Sequence, residues 1–167
     1  MNIAVVYSSR TGNTKAVAER IAKALGADLF AVSQQPDLSQ YEGVAFGYWV
    51  DRANANAEAR EFMATIENKK VFLFGTLGAY PESEHGQRSL ATARTHINES
   101  NELLGEFLCQ GKIEQAIIDR FKNMAKDSDN PHAPSAERIA LWAAGAGHPN
   151  EDDFTNAINA ARKAFAL

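Results

Sequence analysis

Short, continuously apolar segments recur along the chain, and segments with helical periodicity separate them. The apolar segments cover residues 3–7, 28–32, 44–49, 71–75 and 103–109. Apolar runs of this length, without the alternation of a half-buried strand, are typical of strands buried on both faces of a parallel sheet. Parallel neighbours need crossover connections, and the helical segments can supply them. The pattern predicts a three-layer, doubly wound α/β sandwich with a five-stranded parallel sheet.

The helical segments also carry signals for where helices begin and end. The first has one apolar face (Thr14, Val17, Ala18, Ile21, Ala22 and Leu25), followed by Gly26 at the position of a C-terminal cap. The last contains Phe154, Ala157, Ile158, Ala161 and Phe165, with Asn150 as its candidate N-cap and three acidic residues in its first turn. Further helices are predicted near residues 59–66, 83–97 and 113–124. Residues 125–149 break the rhythm and are expected to form an irregular excursion.

The composition of the 167 residues is that of an ordinary globular chain. Hydrophobic residues make up 45% and charged residues 23%, and no linker divides the sequence, so residues 1–167 are expected to form one domain. No apolar run is long enough for membrane insertion. The net charge of −4 argues against binding to nucleic acid. Cys109 is the only cysteine, which favours a reducing cytoplasm, and no signal peptide is expected.

Residues 8–15, with the sequence SSRTGNTK, connect the first strand to the first helix and are rich in hydroxyl groups. Free backbone N–H groups at a helix N-terminus attract anions, and Ser9, Thr11, Asn13 and Thr14 add neutral donors. Gly12 permits a turn that a side chain would obstruct. The segment lacks the lysine and second glycine of a P-loop and the three glycines of a dinucleotide fingerprint. It also lacks the paired acids of a phosphate-receiving domain.

The string Ser9-Arg10-Thr11-Gly12-Asn13-Thr14 resembles the phosphate loop of flavodoxins, which reads T/S-x-T-G-x-T after the first strand. The resemblance implies a flavodoxin-like fold with strand order 2-1-3-4-5. It also implies that these six residues hold the 5′-phosphate of FMN through neutral donors. Arg10 would contact the phosphate or point into solvent, and the sequence slightly favours solvent.

The same resemblance implies two further loops that clasp the flavin ring, within residues 47–54 and 74–81. Trp49, with Tyr48 as a rival, and Tyr80 are the candidates to stack on the ring. Gly75 and Gly78 would let backbone groups approach the pyrimidine edge of the ring. The predicted cofactor-binding residues of these loops are Tyr48, Trp49, Val50, Asp51, Thr76, Leu77, Gly78 and Tyr80.

Three functions are compatible with this sequence. The first is an FMN-containing electron carrier that docks to a reductase and to an acceptor enzyme. The second is an FMN-dependent oxidoreductase acting on a quinone or a similar small molecule, and the third is a flavin-free module that binds another phosphate. No nicotinamide-dinucleotide fingerprint is present, which favours the carrier.

Two features set this chain apart from the usual flavodoxin pattern. Flavodoxins have a glycine in the first ring loop, whereas Val50 and Asp51 follow Trp49 here, so stabilisation of one-electron-reduced flavin stays open. Acidic residues around the predicted loops are balanced by Arg10 and Arg52, so an extremely low potential is not expected.

Other candidate sites in the sequence are weak. His85, His96, His132 and His148 lack metal-ligand spacing, so no metal site and no catalytic residue is predicted. Cys109 is interpreted as a packing residue rather than as a redox nucleophile.

Overall fold

The computed structural model describes residues 1–124, 126 and 133–167 and contains a parallel sheet at its centre. Its strands are β1 (Ile3–Tyr7), β2 (Asp28–Ala31), β3 (Gly43–Asp51), β4 (Asn54–Ala55), β5 (Lys70–Leu77) and β6 (Glu102–Gln110). The five parallel strands lie in the order β2-β1-β3-β5-β6, which confirms the predicted fold and strand order. The additional strand, β4, pairs antiparallel with the end of β3 and was not predicted.

Helices cover both faces of the sheet, as the buried apolar runs require. They are α1 (Asn13–Leu25), α2 (Ala57–Met63), α3 (Glu84–Arg94), α4 (Gln115–Met124), α5 (Ala136–Gly145) and α6 (Glu151–Phe165). One core cluster joins the sheet to α1 and α6 through residues such as Ile21 and Phe165. The other joins it to α2 and α3 through residues such as Phe62 and Ala93.

The predicted ends of the first and last helices match the structure. Gly26 follows α1 in the left-handed conformation with φ 63°, and its N–H donates to the carbonyl of Ala22. Asn150 is the N-cap of α6, where its side chain accepts from the N–H of Asp153 and the Asp153 carboxylate accepts from the Asn150 N–H. This reciprocal pair satisfies N–H groups that a helix start leaves free.

The prediction of an irregular excursion over residues 125–149 was wrong for its second half. Ser135 caps α5 by accepting from the N–H of Arg138, and the buried Trp142 packs 5.5 Å from the ring of Phe121 on α4. The segment is short, and its few apolar residues gave only a weak helical period in the sequence. Tertiary packing of Trp142 stabilises the helix in the folded chain. The parts of that prediction at residues 125 and 127–132 lie outside the described residues.

The connection between β3 and β4 is a tight hairpin whose turn residues are Arg52 and Ala53. Asp51 pairs with Asn54, and the two residues between them have positive φ angles of 51° and 59°. Two consecutive positive φ angles are the requirement of a type I′ turn, which normally selects glycine or asparagine. The hairpin therefore keeps a backbone conformation that its own turn residues disfavour.

Within the described residues, no helix is long and apolar enough to cross a membrane.

We expect the substitution Ala53→Gly to raise the free energy of unfolding by about 0.5–1 kcal/mol. An alanine at positive φ pays a steric cost that exceeds the extra unfolded-state entropy of glycine. Chemical denaturation of both proteins would measure the difference. The control is Ala91→Gly on the exposed face of α3, which should lower stability by about 1 kcal/mol. Destabilisation by both glycines would contradict the strain at Ala53.

Candidate functional site

A cleft lies beyond the carboxyl ends of β1, β3, β5 and β6, the edge at which ligands bind in open parallel sheets. Four segments form its walls: the connection from β1 into α1, the last residues of β3, the end of β5 with the residue that follows it, and the segment after β6. The cleft is lined by Ser9, Arg10, Thr11, Asn13, Thr14, Trp49, Val50, Thr76, Leu77, Gly78, Gly111, Lys112, Ile113, Glu114 and Ile117. Ten of the residues predicted from the sequence therefore come together in one place.

The start of α1, after the β1–α1 connection, offers backbone hydrogen-bond donors that no side-chain cap occupies. Gly12 stands at the N-cap of α1 with φ 99°, and its own N–H donates to Ser9 Oγ at 3.2 Å. No side chain caps the helix, and its first turn contains no acidic residue. The backbone N–H groups at the start of α1 are thus available to an anion in the cleft, whose charge the helix dipole favours.

Thr14 occupies the second position of α1 and connects the phosphate loop to β5. Its hydroxyl lies 2.8 Å from the hydroxyl of Thr76, and both residues are buried while they line the cleft. A hydroxyl has one proton and two acceptor sites, so one member of the pair keeps a proton free for another acceptor. If Thr76 donates to Thr14, then Thr14 can donate to a ligand oxygen.

The segment after β6 closes the cleft against the phosphate loop. Asn13 Nδ2 donates to the carbonyl of Lys112 at 2.8 Å, and Arg10 Nε lies 3.4 Å from the carboxylate of Glu114. Arg10 is well exposed, so this ion pair contributes little to stability. The ion pair matters for the charge of the site, because the carboxylate of Glu114 partly offsets the positive charge of Arg10 beside the phosphate loop.

The other part of the cleft is apolar. Its lining consists of Trp49 and Val50 near the end of β3, Leu77 at the end of β5, and Ile113 and Ile117 after β6. Apolar and aromatic walls next to a few convergent polar groups are typical of sites for small organic ligands. The cleft combines an anion-binding end with a surface for a flat aromatic group.

Four of the predicted site residues do not line this cleft. Tyr48 has no exposed area and belongs to the core cluster beneath α2 and α3, on the opposite face of β3 from Trp49. Tyr80 is 43% exposed, Asp51 is exposed at the hairpin turn, and neither residue lines the cleft. Gly12 contributes its backbone at the base of the loop and borders a neighbouring polar recess.

Gly75 also has a different place from the one that the sequence suggested. It lies inside β5, where a Cβ atom would come within 2.8 Å of the Tyr48 ring and of Leu108. The glycine makes room for the tyrosine ring that crosses over it. Burial raises the pKa of Tyr48, and its hydroxyl has no hydrogen-bond partner among the described residues.

Sequence reasoning missed one wall of the cleft, the residues from Gly111 to Ile117. They directly follow β6, and the rule that ligands bind at the carboxyl edge of a parallel sheet applies to that strand as it does to the others. Gly111 N–H donates to the carbonyl of Leu77 at 2.7 Å, and Gln110 Nε2 donates to the carbonyl of Gly78 at 3.3 Å. These bonds hold the two neighbouring walls together.

Cys109, His96 and His148 do not line the cleft. Cys109 is buried at the end of β6, and burial, with the charge of Asp153, raises the pKa of its thiol to about 12. His96 bonds to the side chain of Asn54, and His148 Nδ1 lies 2.6 Å from the carboxylate of Asp153. Among the residues that the structure describes, no group of three or more His, Cys, Asp or Glu side chains could hold a metal ion.

Comparisons with known proteins agree on one family. A family model described as "Flavodoxin domain" matches residues 4–162. The flavodoxin-like domain-containing protein BilS of Clostridioides difficile is 34% identical over 164 residues, covering 94% of this chain and 92% of that protein.

Solved structures share the fold. Oxidised flavodoxin 2 from Bacillus cereus has a TM-score of 0.61 at 18% identity, covering 99% of this chain and 98% of that one. A flavoprotein in complex with FMN from Lactobacillus acidophilus has a TM-score of 0.52 at 13% identity, covering 71% of this chain and 97% of that one. At these identities the two structures support the architecture alone.

We expect Cys109 to resist thiol reagents in the folded protein. At pH 8, a thiol with a pKa near 12 is ionised to roughly one part in ten thousand, against about one part in four for an unfolded thiol. Reaction with a coloured disulfide reagent should therefore be about a thousandfold slower in buffer than in denaturant. Equal rates in the two conditions would place the thiol at the surface.

Proposed function

This chain belongs to the flavodoxin domain family, and we propose that it binds FMN and carries electrons between a reductase and an acceptor redox enzyme. The observation that carries the proposal is the cleft itself. An uncapped helix N-terminus with neutral donors lies at one end of the cleft, and an apolar wall with a tryptophan lies at the other. FMN has a terminal phosphate and a flat aromatic ring, so it matches both ends.

The donors of the phosphate loop suit a terminal phosphate. The backbone N–H groups at the start of α1, with the hydroxyls of Thr11 and Thr14 and the amide of Asn13, would hold its oxygens. The one nearby guanidinium, that of Arg10, pairs with Glu114, so binding of the phosphate would depend mainly on neutral dipoles. The flavoprotein from Lactobacillus acidophilus, which shares this fold, contains FMN.

The rest of the cleft would hold the flavin ring. When bound, FMN supplies the redox chemistry. The apolar lining, which includes Trp49, Val50, Leu77 and Ile113, would exclude water from the ring and orient it. The backbone of Gly78 lies at the same wall, beside the end of β6. An electron carrier needs this arrangement, with the ring held firmly and partly accessible to a partner protein.

A second candidate function is an FMN-dependent oxidoreductase that acts on a quinone or a similar small molecule. The observation that favours it is the apolar wall from α4, where Ile117 lines the cleft while 37% of its surface stays exposed. A flat apolar substrate could pack there against the ring. The carrier is preferred because the sequence contains no fingerprint for a nicotinamide dinucleotide, the usual reductant of such enzymes.

We expect Thr11→Ala and Thr14→Ala each to weaken FMN binding by about 1–3 kcal/mol, because each removes a hydrogen bond to a charged phosphate. Quenching of flavin fluorescence would give the dissociation constants. Riboflavin, which has the ring but no phosphate, serves as the control, and its affinity should change much less. Unchanged FMN affinity in both variants would mean that the phosphate binds elsewhere.

Reductive titration of the FMN-loaded protein without oxygen separates the two candidate functions. A carrier should take up electrons in two resolved one-electron steps and should show no turnover with NAD(P)H and a quinone. An oxidoreductase should be reduced in one two-electron step and should turn over with both substrates. A colourless protein that leaves the fluorescence of added FMN unchanged would contradict both functions.

A further inference from the structure

Asn56 stands at the N-cap of α2 but does not cap it. At the corresponding position of α3, α5 and α6, the side chains of Ser83, Ser135 and Asn150 each accept a hydrogen bond from an N–H of the first turn. The side chain of Asn56 makes no such bond, although asparagine is among the best capping residues. It is 4% exposed, so it is directed into the protein rather than into solvent.

Asn56 forms hydrogen bonds with both backbone groups of Trp49. The N–H of Trp49 donates to Asn56 Oδ1 at 3.3 Å, and the N–H of Asn56 donates to the carbonyl of Trp49 at 3.0 Å. Trp49 lines the apolar end of the cleft. Asn56 thus binds both the N–H and the carbonyl of Trp49, at the point where the cleft meets the end of β3.

The orientation of Asn56 is itself fixed from the phosphate side of the site. Its Nδ2 donates to Ser8 Oγ at 2.8 Å, and Ser8 Oγ donates to the carboxylate of Glu58 at 2.7 Å. Ser8 is 2% exposed and directly precedes the phosphate loop. Because the amide nitrogen must face the Ser8 oxygen, the amide oxygen must face the Trp49 N–H.

We propose that Asn56 is a positioning residue of the flavin site, which holds the Trp49 backbone in one orientation in every oxidation state of the flavin. The inference rests on the proposed binding of FMN. Reorientation of the Trp49 carbonyl would leave the buried N–H of Asn56 without its acceptor, and an unsatisfied buried donor is unfavourable. The tight turn at Arg52 and Ala53 keeps the two strands of the hairpin in register and opposes the same movement.

A fixed backbone has a specific consequence for the redox properties. A carbonyl whose direction is fixed by its bond with the Asn56 N–H would keep that direction in every oxidation state of the ring and would not turn to accept a new bond from it. The three oxidation states of the flavin are then held by the same contacts. Loss of the Asn56 side chain removes the acceptor of the Trp49 N–H and leaves only the backbone bond to the Trp49 carbonyl. The Trp49 backbone should then be held less firmly and should respond to reduction, which would change the separation between the two one-electron potentials.

The experiment compares the wild-type chain with Asn56→Ala, Ser8→Ala and a control, Asn54→Ala. Asn54 belongs to the same hairpin, but its Oδ1 accepts from the N–H of Ala55 and contacts His96 instead of Trp49. Two measurements are made on each protein. Hydrogen exchange of the Trp49 amide is followed in the ligand-free chain, and both one-electron potentials are measured in the FMN-loaded chain.

We expect Asn56→Ala to speed exchange of the Trp49 amide by about tenfold, the effect of losing one hydrogen bond. The separation between the two potentials should widen, Ser8→Ala should change both quantities in the same direction, and Asn54→Ala should change neither.

Unchanged potentials together with a lower melting temperature would overturn the proposal and make Asn56 purely structural. If Asn56→Ala does not fold, Ser8→Ala decides in the same way. A wild-type chain that does not bind FMN would overturn the proposed function, and the exchange rates would still show whether Asn56 holds Trp49.

Discussion

The register of the parallel sheet determines how the walls of the cleft meet. Tyr7 pairs with Gly47, Trp49 pairs with Thr76, and Leu77 pairs with Gln110, so the strands end at neighbouring positions along one edge. Each connecting segment therefore starts beside the next, and single hydrogen bonds can join them. The hydroxyl pair of Thr14 and Thr76 is one such bond. A shift of one residue in any strand would send its last side chains to the opposite face.

The helix α1, which starts at the cleft, and the helix α2, whose N-cap residue contacts Trp49, lack the side-chain caps found on three other helices. Caps contribute about 1 kcal/mol each, and α3, α5 and α6 have them. At α1 the cap position is Gly12, which leaves backbone donors to the cleft. At α2 the side chain of Asn56 is used on the Trp49 backbone instead. At both helices, groups that would otherwise form or accept a cap are used at the proposed binding site. The two helices therefore lack the stability that a side-chain cap contributes.

Local pattern and local chemistry explain what the sequence predicted. Continuous apolar runs indicated the buried parallel strands, and Gly26 and Asn150 indicated helix ends through their own backbone and side-chain preferences. The sequence alone did not show which of two neighbouring residues in a strand lines the cleft, and the three-dimensional fold was needed to decide. Tyr48 and Trp49 are both aromatic, and only the face of β3 that each occupies separates the core residue from the residue that lines the cleft. The wall after β6 contains no motif, so its place became visible only from the strand order.

The missing glycine after Trp49 has a fuller explanation in the structure than in the sequence. A glycine there would suit a backbone that changes its conformation, whereas this chain has a hairpin in which Asn56 holds both backbone groups of Trp49. Its turn even tolerates positive φ at Arg52 and Ala53, where glycine would be easier. A loop whose backbone stays fixed does not need the conformational freedom of glycine at residue 50 or 51. The absence of glycine and the hydrogen bonds of Asn56 to Trp49 both fit the proposed fixed backbone in this wall of the cleft.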